Sequence, residues 1–283
     1  MENDKKILDD YIFNYNWLDT TSFRDVKCVL CGGKNHVENV FHFKLNNNEM
    51  FIRHCIHDDL MFLSPQPAGN YAETLYNHKS YFSGEDDMYG LSVSDYKSTE
   101  IAKIRIGEIK DLLKDRKTVD MSLLEIGSAY GHTLNEAKVE GFKEVGGIEF
   151  SRDAVEHSKQ KGLDVKLASA NEPLDLLFGG KQFNVIAMYS VLEHVDDPVA
   201  FLESAIGLLA KDGFFVIRVP RISADGHWLS LLDHYGHFTE ISLKNLVSRS
   251  GLQIIEIFQS GTFVGIQHDG YLSSMTLIAK KTI

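Results

Sequence analysis

An acid, two glycines and a helix start, in that order, can cradle the charged end of a small ligand. The stretch LLEIGSAYGHTL, Leu123 to Leu134, has this form. An apolar run ends on Glu125 and Ile126, then come Gly127, Ser128 and Gly131, and a helical pattern begins. Glycines let the backbone approach a ligand, and the first N–H groups of a helix attract negative charge. A loop built for a pyrophosphate reads G-x-G-x-x-G, its second glycine making room for the phosphates. Here that position is Ala129 and the spacing is E-x-G-x-x-x-G, so a smaller anion such as a carboxylate suits the loop better.

Glu149 closes the next apolar run, ahead of Phe150. An acid there accepts hydrogen bonds from ribose hydroxyls. A nucleoside with an amino-acid tail meets both halves of the pattern, and S-adenosylmethionine (SAM) is such a molecule. Glu125 is then placed to hold its ammonium. Tyr189 and Ser190, at the end of a later apolar run, are expected beside it.

Two further sets could do chemistry. His194 in YSVLEHV and His234 and His237 in DHYGHF have the residue type of a general base near neutral pH. Each could instead be a hydrogen-bonded, partly buried histidine, and His227, His234 and His237 together could bind a metal that orients a hydroxyl pair. Cys28-x-x-Cys31-Gly32 has the form of one zinc knuckle. Its expected partner, HCIHDD, offers Cys55 and then Asp58 where a fourth thiolate would stand. His54, His57 or Asp58 could complete the set, and a strand unit that folds without metal is the alternative. Aromatic residues favour a sulfonium. Tyr76, His78, Tyr81 and Phe82 are candidates, with Tyr81 chosen as the contact.

The elements that must position these groups follow from periodicity. Ala102, Ile106, Ile109 and Leu113 share one helical face within 95–115. From 121 onward, strands and helices alternate. Ser151 and Asp197-Pro198 are helix starts, Gly141 and Gly162 helix ends, and GFFVIRVP a buried strand. This alternation predicts an α/β fold, a doubly wound, mostly parallel sheet. Residues 20–67 read as small strands with a turn at LNNNEM, and GEDDMYGLSVSDY as a polar lid. The expected units are 1–70, a zinc-ribbon-like segment; 71–100, a connector or lid; and 101–283, the SAM-binding domain.

Composition narrows the function. The net charge of −11 over 283 residues, with no basic block, argues against nucleic-acid binding. No apolar run reaches membrane-spanning length and MENDKKILDDYIFNYNW lacks a signal-peptide core, so a cytoplasmic protein is expected. Three cysteines make no disulfide framework.

LLEIGSAYG, GIEFS and FNVIAMYSVLEHVDDPVAFLESAIGLLAKDGFFVIRVP together resemble the class I SAM-dependent methyltransferases, over residues 100–282. The resemblance implies their Rossmann-like fold, a seven-stranded sheet, and adenine contacts at Ser169 and Ala170, where the family often has Asp. CVLCGG, DLMFLSPQP and YNHKSYF resemble the N-terminal segment of sugar- and polysaccharide-modifying members, which implies a structural zinc and a sugar-like acceptor. Methylation of a hydroxyl is expected over methylation of carbon in a keto-sugar, in a monomer or homodimer. Three other readings stay open: a non-catalytic SAM-binding scaffold, a nicotinamide-dependent reductase, and a methyltransferase acting on small RNA or protein.

Overall fold

In the computed structural model, the described residues are 22–45, 48–68, 74, 76–77, 96–114, 116–169, 172–221, 234–260 and 274–281. The strands and helices in chain order are β1 (Phe23–Arg24), β2 (Val37–Leu45), β3 (Asn48–Cys55), β4 (Leu60–Ser64), β5 (Gln66–Pro67), α1 (Tyr96–Leu113), β6 (Ser122–Ile126), α2 (His132–Val139), β7 (Glu144–Glu149), α3 (Arg152–Gln160), β8 (Asp164–Leu167), β9 (Phe183–Tyr189), α4 (Pro198–Gly207), β10 (Leu209–Pro220), β11 (Gly236–His237), α5 (Glu240–Arg249), β12 (Gln253–Ser260) and β13 (Ser274–Lys280).

Seven strands form one sheet in the order β12-β13-β10-β9-β6-β7-β8. Five run parallel, while β13 is antiparallel to both its neighbours. GFFVIRVP is therefore parallel on its β9 edge only. The helix starts behave as their residue types dictate. The Ser151 hydroxyl accepts from Ala154 N–H, Asp197 caps α4 ahead of Pro198, and Thr239 and Ser242 form a reciprocal capping pair.

Side-chain alternation divides the core between the two faces of the sheet. Leu123, Val185, Ala187 and Val216 pack under α1, whose Ile106, Ile109 and Leu113 are buried. On the other face, Leu124, Ile186, Phe215 and Leu277 meet Phe201, Leu243 and Leu246. Each such side chain contributes about 1.5–3 kcal/mol of transfer free energy on burial. Asn184 joins β6 to β9 at their starts, its Oδ1 accepting from Ser122 N–H at 2.9 Å.

Residues 37–64 form an antiparallel meander, β2-β3-β4, whose fourth strand is β11. Gly236 pairs with Phe62 and His237 with Met61. The meander thus takes its edge strand from within 101–283, the span expected to form a separate unit. Cys28, Leu30, Cys55, Leu60 and Phe62 are buried in the same cluster as Phe238 and Leu246. No helix among the described residues is long and apolar enough to cross a membrane.

Candidate functional site

The glycine loop bridges β6 and α2 at the carboxyl end of the sheet, where ligands of such sheets bind. Gly127 and Gly131 both have φ +74°, and Ala129 has φ 44°. Conformation is half of the requirement at the glycines. A Cβ on Gly127 would lie 2.4 Å from Val191 Cγ2, and one on Gly131 would lie 2.5 Å from Leu163 Cδ1. The loop after β9 therefore presses directly on the glycine loop.

Glu149 is buried at the end of β7. Its carboxylate accepts the Ala129 N–H at 2.7 Å and the N–H groups of Phe150 and Ser151 at 2.8 Å each. Burial pushes its pKa up, against these three donors. A carboxylate offers about four acceptor positions, so three backbone donors leave roughly one for a ligand. The residue expected to hold ribose thus also clamps the loop that faces the rest of the ligand.

Beneath α1 the same end of the sheet carries a polar layer. Glu125, Tyr189 and Arg218 project from β6, β9 and β10 on the α1 face, with Arg218 level with Tyr189 and with Thr276 of β13. Arg105 of α1 donates to Glu125 at 3.4 Å and to Thr133 at 3.3 Å, and its guanidinium lies 4.1 Å from the Tyr189 ring centroid. Arg218 pairs with Glu108 and donates to Thr276 at 2.8 Å. Burial lifts the Glu125 carboxyl to about 7, with Arg105 opposing the rise, and burial also raises the Tyr189 phenol. Four buried polar atoms here have no hydrogen-bond partner: Arg105 Nε, Glu125 Oε2, Ser128 Oγ and Tyr189 OH. Leaving such groups unsatisfied costs about 1–3 kcal/mol each.

Sequence reading missed Arg105, Glu108 and Arg218. The available signal was charge in an apolar frame: Arg105 sits beside Ile106 on the buried stripe of α1, and Arg218 interrupts FFVIRVP.

The histidines come together. His194 ends the 3-10 turn Leu192–His194 that follows β9, and its ring lies 4.7 Å from that of His234. His234 lies 5.7 Å from His237. Tyr76 reaches the outer end of this row, edge-on to His194 at 6.0 Å and to Phe150 at 5.3 Å. His237 is the most deeply placed, in β11 and 3% exposed. Tyr235 N–H donates to Glu193 O at 2.8 Å, fixing the two segments together. Ser190, at φ 54°, donates its N–H to Arg218 O, and the Ser169 N–H is taken by Glu172. Tyr81, Ala170, His227, His78, Phe82, Asn171 and nearly all of GEDDMYGLSVSDY lie outside the described residues.

The cysteines form a second cluster. Two turns of matching geometry face each other: Gly32 N–H donates to Cys28 O at 2.8 Å, and Asp59 N–H to Cys55 O at 2.7 Å. Gly32 and Asp59 are both left-handed, so Cys55-Ile56-His57-Asp58-Asp59 matches Cys28-Val29-Leu30-Cys31-Gly32 residue for residue. Asp58 therefore stands where a fourth cysteine would. The ligand atoms of Cys28, Cys31, Cys55 and Asp58 lie within 4.8 Å of one another. His54 bonds Asp59 at 2.8 Å, and His57 bonds Asp58 at 3.3 Å. Burial pushes the Cys28 thiol to about 12. It also pushes on Asp58, but His57, Cys31 and Arg249 outweigh it and hold that carboxyl below its usual range. Arg249, at the end of α5, donates to Asp58 at 2.5 Å and to Leu30 O at 2.7 Å.

A sequence-family model described as a methyltransferase domain matches residues 100–257, more than half of the chain. The chain belongs to this family. It carries a class I SAM-dependent methyltransferase domain. Among curated proteins it resembles the ubiquinone biosynthesis O-methyltransferase of Psychrobacter arcticus, at 29% identity over 136 residues, 42% of this chain and 52% of that protein. The counterpart in Psychrobacter cryohalolentis is 28% identical over the same length, with the same shares covered. The chain spans about half the length of these curated relatives. Among solved structures it resembles the magnesium protoporphyrin IX methyltransferase of Synechocystis PCC 6803 with bound SAH. There the TM-score is 0.50 and the identity 13%, covering 66% of this chain and 84% of the other, a likeness of fold.

Proposed function

We propose that this protein binds SAM at the glycine loop and transfers its methyl group to a hydroxyl of a small, sugar-like acceptor. The observation that carries the reading is the convergence of Arg105 Nε, Glu125 Oε2, Ser128 Oγ and Tyr189 OH, all buried and unpartnered, beside the loop. An amino acid's ammonium and carboxylate supply the missing partners: Glu125 and Tyr189 suit the ammonium, Arg105 and Ser128 the carboxylate. Glu149 takes the ribose, and Phe150, Ser169 and Ser190 border the nucleoside. SAM supplies a methyl on a sulfonium, which an acceptor oxygen displaces in line, the electrons of the C–S bond passing to sulfur to give S-adenosylhomocysteine. The chain's share is to hold the acceptor in line and take its proton. His237, in the row His194–His234–His237 that begins beside Tyr76, is the proton acceptor.

The O-methyltransferase relatives favour an oxygen acceptor over carbon. A sugar-like acceptor rests on the N-terminal segment's resemblance. Cys28, Cys31, Cys55 and Asp58 suit a structural zinc in number, type and spacing, and Arg249 would balance the second carboxylate oxygen.

The test is calorimetric titration of metal-analysed protein with SAM, S-adenosylhomocysteine and NADH, followed by an acceptor screen beginning with nucleotide sugars. Binding of the two adenosyl ligands and not NADH is expected. Binding of NADH alone, or of none, would sink the reading. Adenosyl binding without turnover of any acceptor would favour a scaffold.

A further inference from the structure

Next to the proposed cofactor position lies a second group of metal-ligating side chains, apart from the cysteines. Glu193, His194 and His234 present three ligand atoms within 4.8 Å of one another. They come from two segments: the turn after β9, and the residues that lead into β11. The backbone bond from Tyr235 N–H to Glu193 O holds these segments in register, and His234 and His194 are the chain neighbours of its two partners. All three side chains are at most 11% exposed. Glu193 Oε1 lies 3.9 Å from His194 Nε2, and the two imidazoles stand edge to face at 4.7 Å between centroids. Ligands about 2.0–2.2 Å from one ion lie roughly 3–3.5 Å apart, so small rotations of these side chains close the set.

We infer that Glu193, His194 and His234 bind a divalent cation that receives the acceptor's hydroxyl. Two imidazoles and one carboxylate on one side of an ion leave positions open on the other. Such a set takes Mn2+, Fe2+ or Zn2+, whereas three thiolates favour zinc, so a single equivalent of zinc fills the cysteine cluster first. Tyr76, edge-on to both His194 and Phe150, links this set to the proposed nucleoside position. A hydroxyl bound to the ion loses its proton more readily. His237, next in the row and outside the set, is left to take that proton. The cation's role rests on the methyltransferase reading. Its binding does not.

The test uses the full chain loaded with a single equivalent of zinc, titrated with Mn2+ and followed by electron paramagnetic resonance. Loss of the free-ion signal to a single saturable site is expected. Glu193→Gln and His234→Ala should each weaken that binding by more than about tenfold, and Glu240→Gln, at a surface carboxylate 61% exposed, should leave it unchanged. Echo-modulation spectra of the wild-type complex should show nitrogen from two imidazoles, which decides the matter should either variant fail to fold. No Mn2+ uptake, binding indifferent to both substitutions, or a spectrum without imidazole nitrogen overturns the inference. SAM calorimetry on the same sample keeps the readings apart. Normal SAM affinity without Mn2+ uptake removes the cation alone, whereas Mn2+ uptake without SAM affinity removes the cofactor reading alone.

Discussion

Two of the buried clusters of ionisable groups among the described residues are built on different plans. Cys28, Cys31, Cys55 and Asp58 come from two short turns of equal geometry, each with its two ligands three residues apart. Arg105, Glu125, Tyr189 and Arg218 come from one helix and three strands, and register alone brings them together. The first has an internal partner for its charge, since Arg249 reaches Asp58. The second keeps three polar atoms without partners, and Ser128 Oγ of the glycine loop is a fourth. Under the proposed function the first plan is a fastening and the second a receptor, and each predicts its own response to substitution.

The largest effect is expected where the receptor's loop touches its neighbour. Gly127→Ala adds a Cβ at 2.4 Å from Val191 and forces a left-handed residue. Strain of about 1–2 kcal/mol and overpacking of about 1–3 kcal/mol add. We expect SAM affinity to fall at least a hundredfold, with a lower melting temperature. Adding Val191→Ala should restore part of both, because the clash goes and the strain stays. Calorimetry and thermal melts of the single and double variants check this. Equal loss in both would show that Val191 is not the cause.

Next in size is the fastening. Arg249→Met leaves Asp58 buried with one less positive neighbour; because the Arg249 side chain is itself 41% exposed and screened by water, the loss is that of one charge-assisted hydrogen bond, about 1–3 kcal/mol. Zinc at the four ligands would turn three neutral thiols into thiolates and leave the site one charge more negative than it is without metal, so the loss should be larger with metal than after chelation. Melts with and without a chelator measure the difference. An equal loss in both states would argue that no metal sits there.

These two clusters also show what can be read from sequence. C-x-x-C-G is visible because its ligands are close in the chain. Even the departure at Asp58 could be aligned, because the turn repeats its spacing. The alternation of strands and helices and the helix caps were equally legible, since periodicity and caps are local properties, whereas the count of seven strands came with the family resemblance and their order only with the structure. Arg105 and Arg218 were not, because each looks like an isolated charge until the sheet sets Arg218 level with Tyr189. The pairing of β11 with β4 was hidden for the same reason: two residues carry too little pattern to announce a strand.

A smaller effect tests the receptor's charge. Arg105→Leu should weaken SAM by roughly ten- to a hundredfold, the worth of one charge-assisted hydrogen bond, and leave adenosine affinity nearly unchanged. Glu125 should make SAM binding depend on pH. Its carboxyl, raised to about 7 by burial, is mostly neutral below that pH and offers the ammonium no charge. Affinity should therefore rise with pH through about 7, by at most tenfold per unit, and level off above. Binding should release a proton near neutrality, seen as a buffer-dependent heat. Glu125→Gln should abolish both, and a flat profile in the wild type would remove Glu125 from the ammonium's contacts.

The smallest effect separates a buried tie from an exposed one. Arg24 also joins the N-terminal strands to the methyltransferase domain, through Asp196 at 2.5 Å, but its side chain is 52% exposed and that of Asp196 is 24% exposed. Water screens such a pair, and ordering two side chains offsets most of the attraction, so it is worth about 0–1 kcal/mol. Arg24→Ala should shift the melting temperature little, and less still at high salt. A loss as large as that of Arg249→Met would mean that the strand β1 itself, rather than the buried knuckle, fastens the N-terminal strands to the sheet.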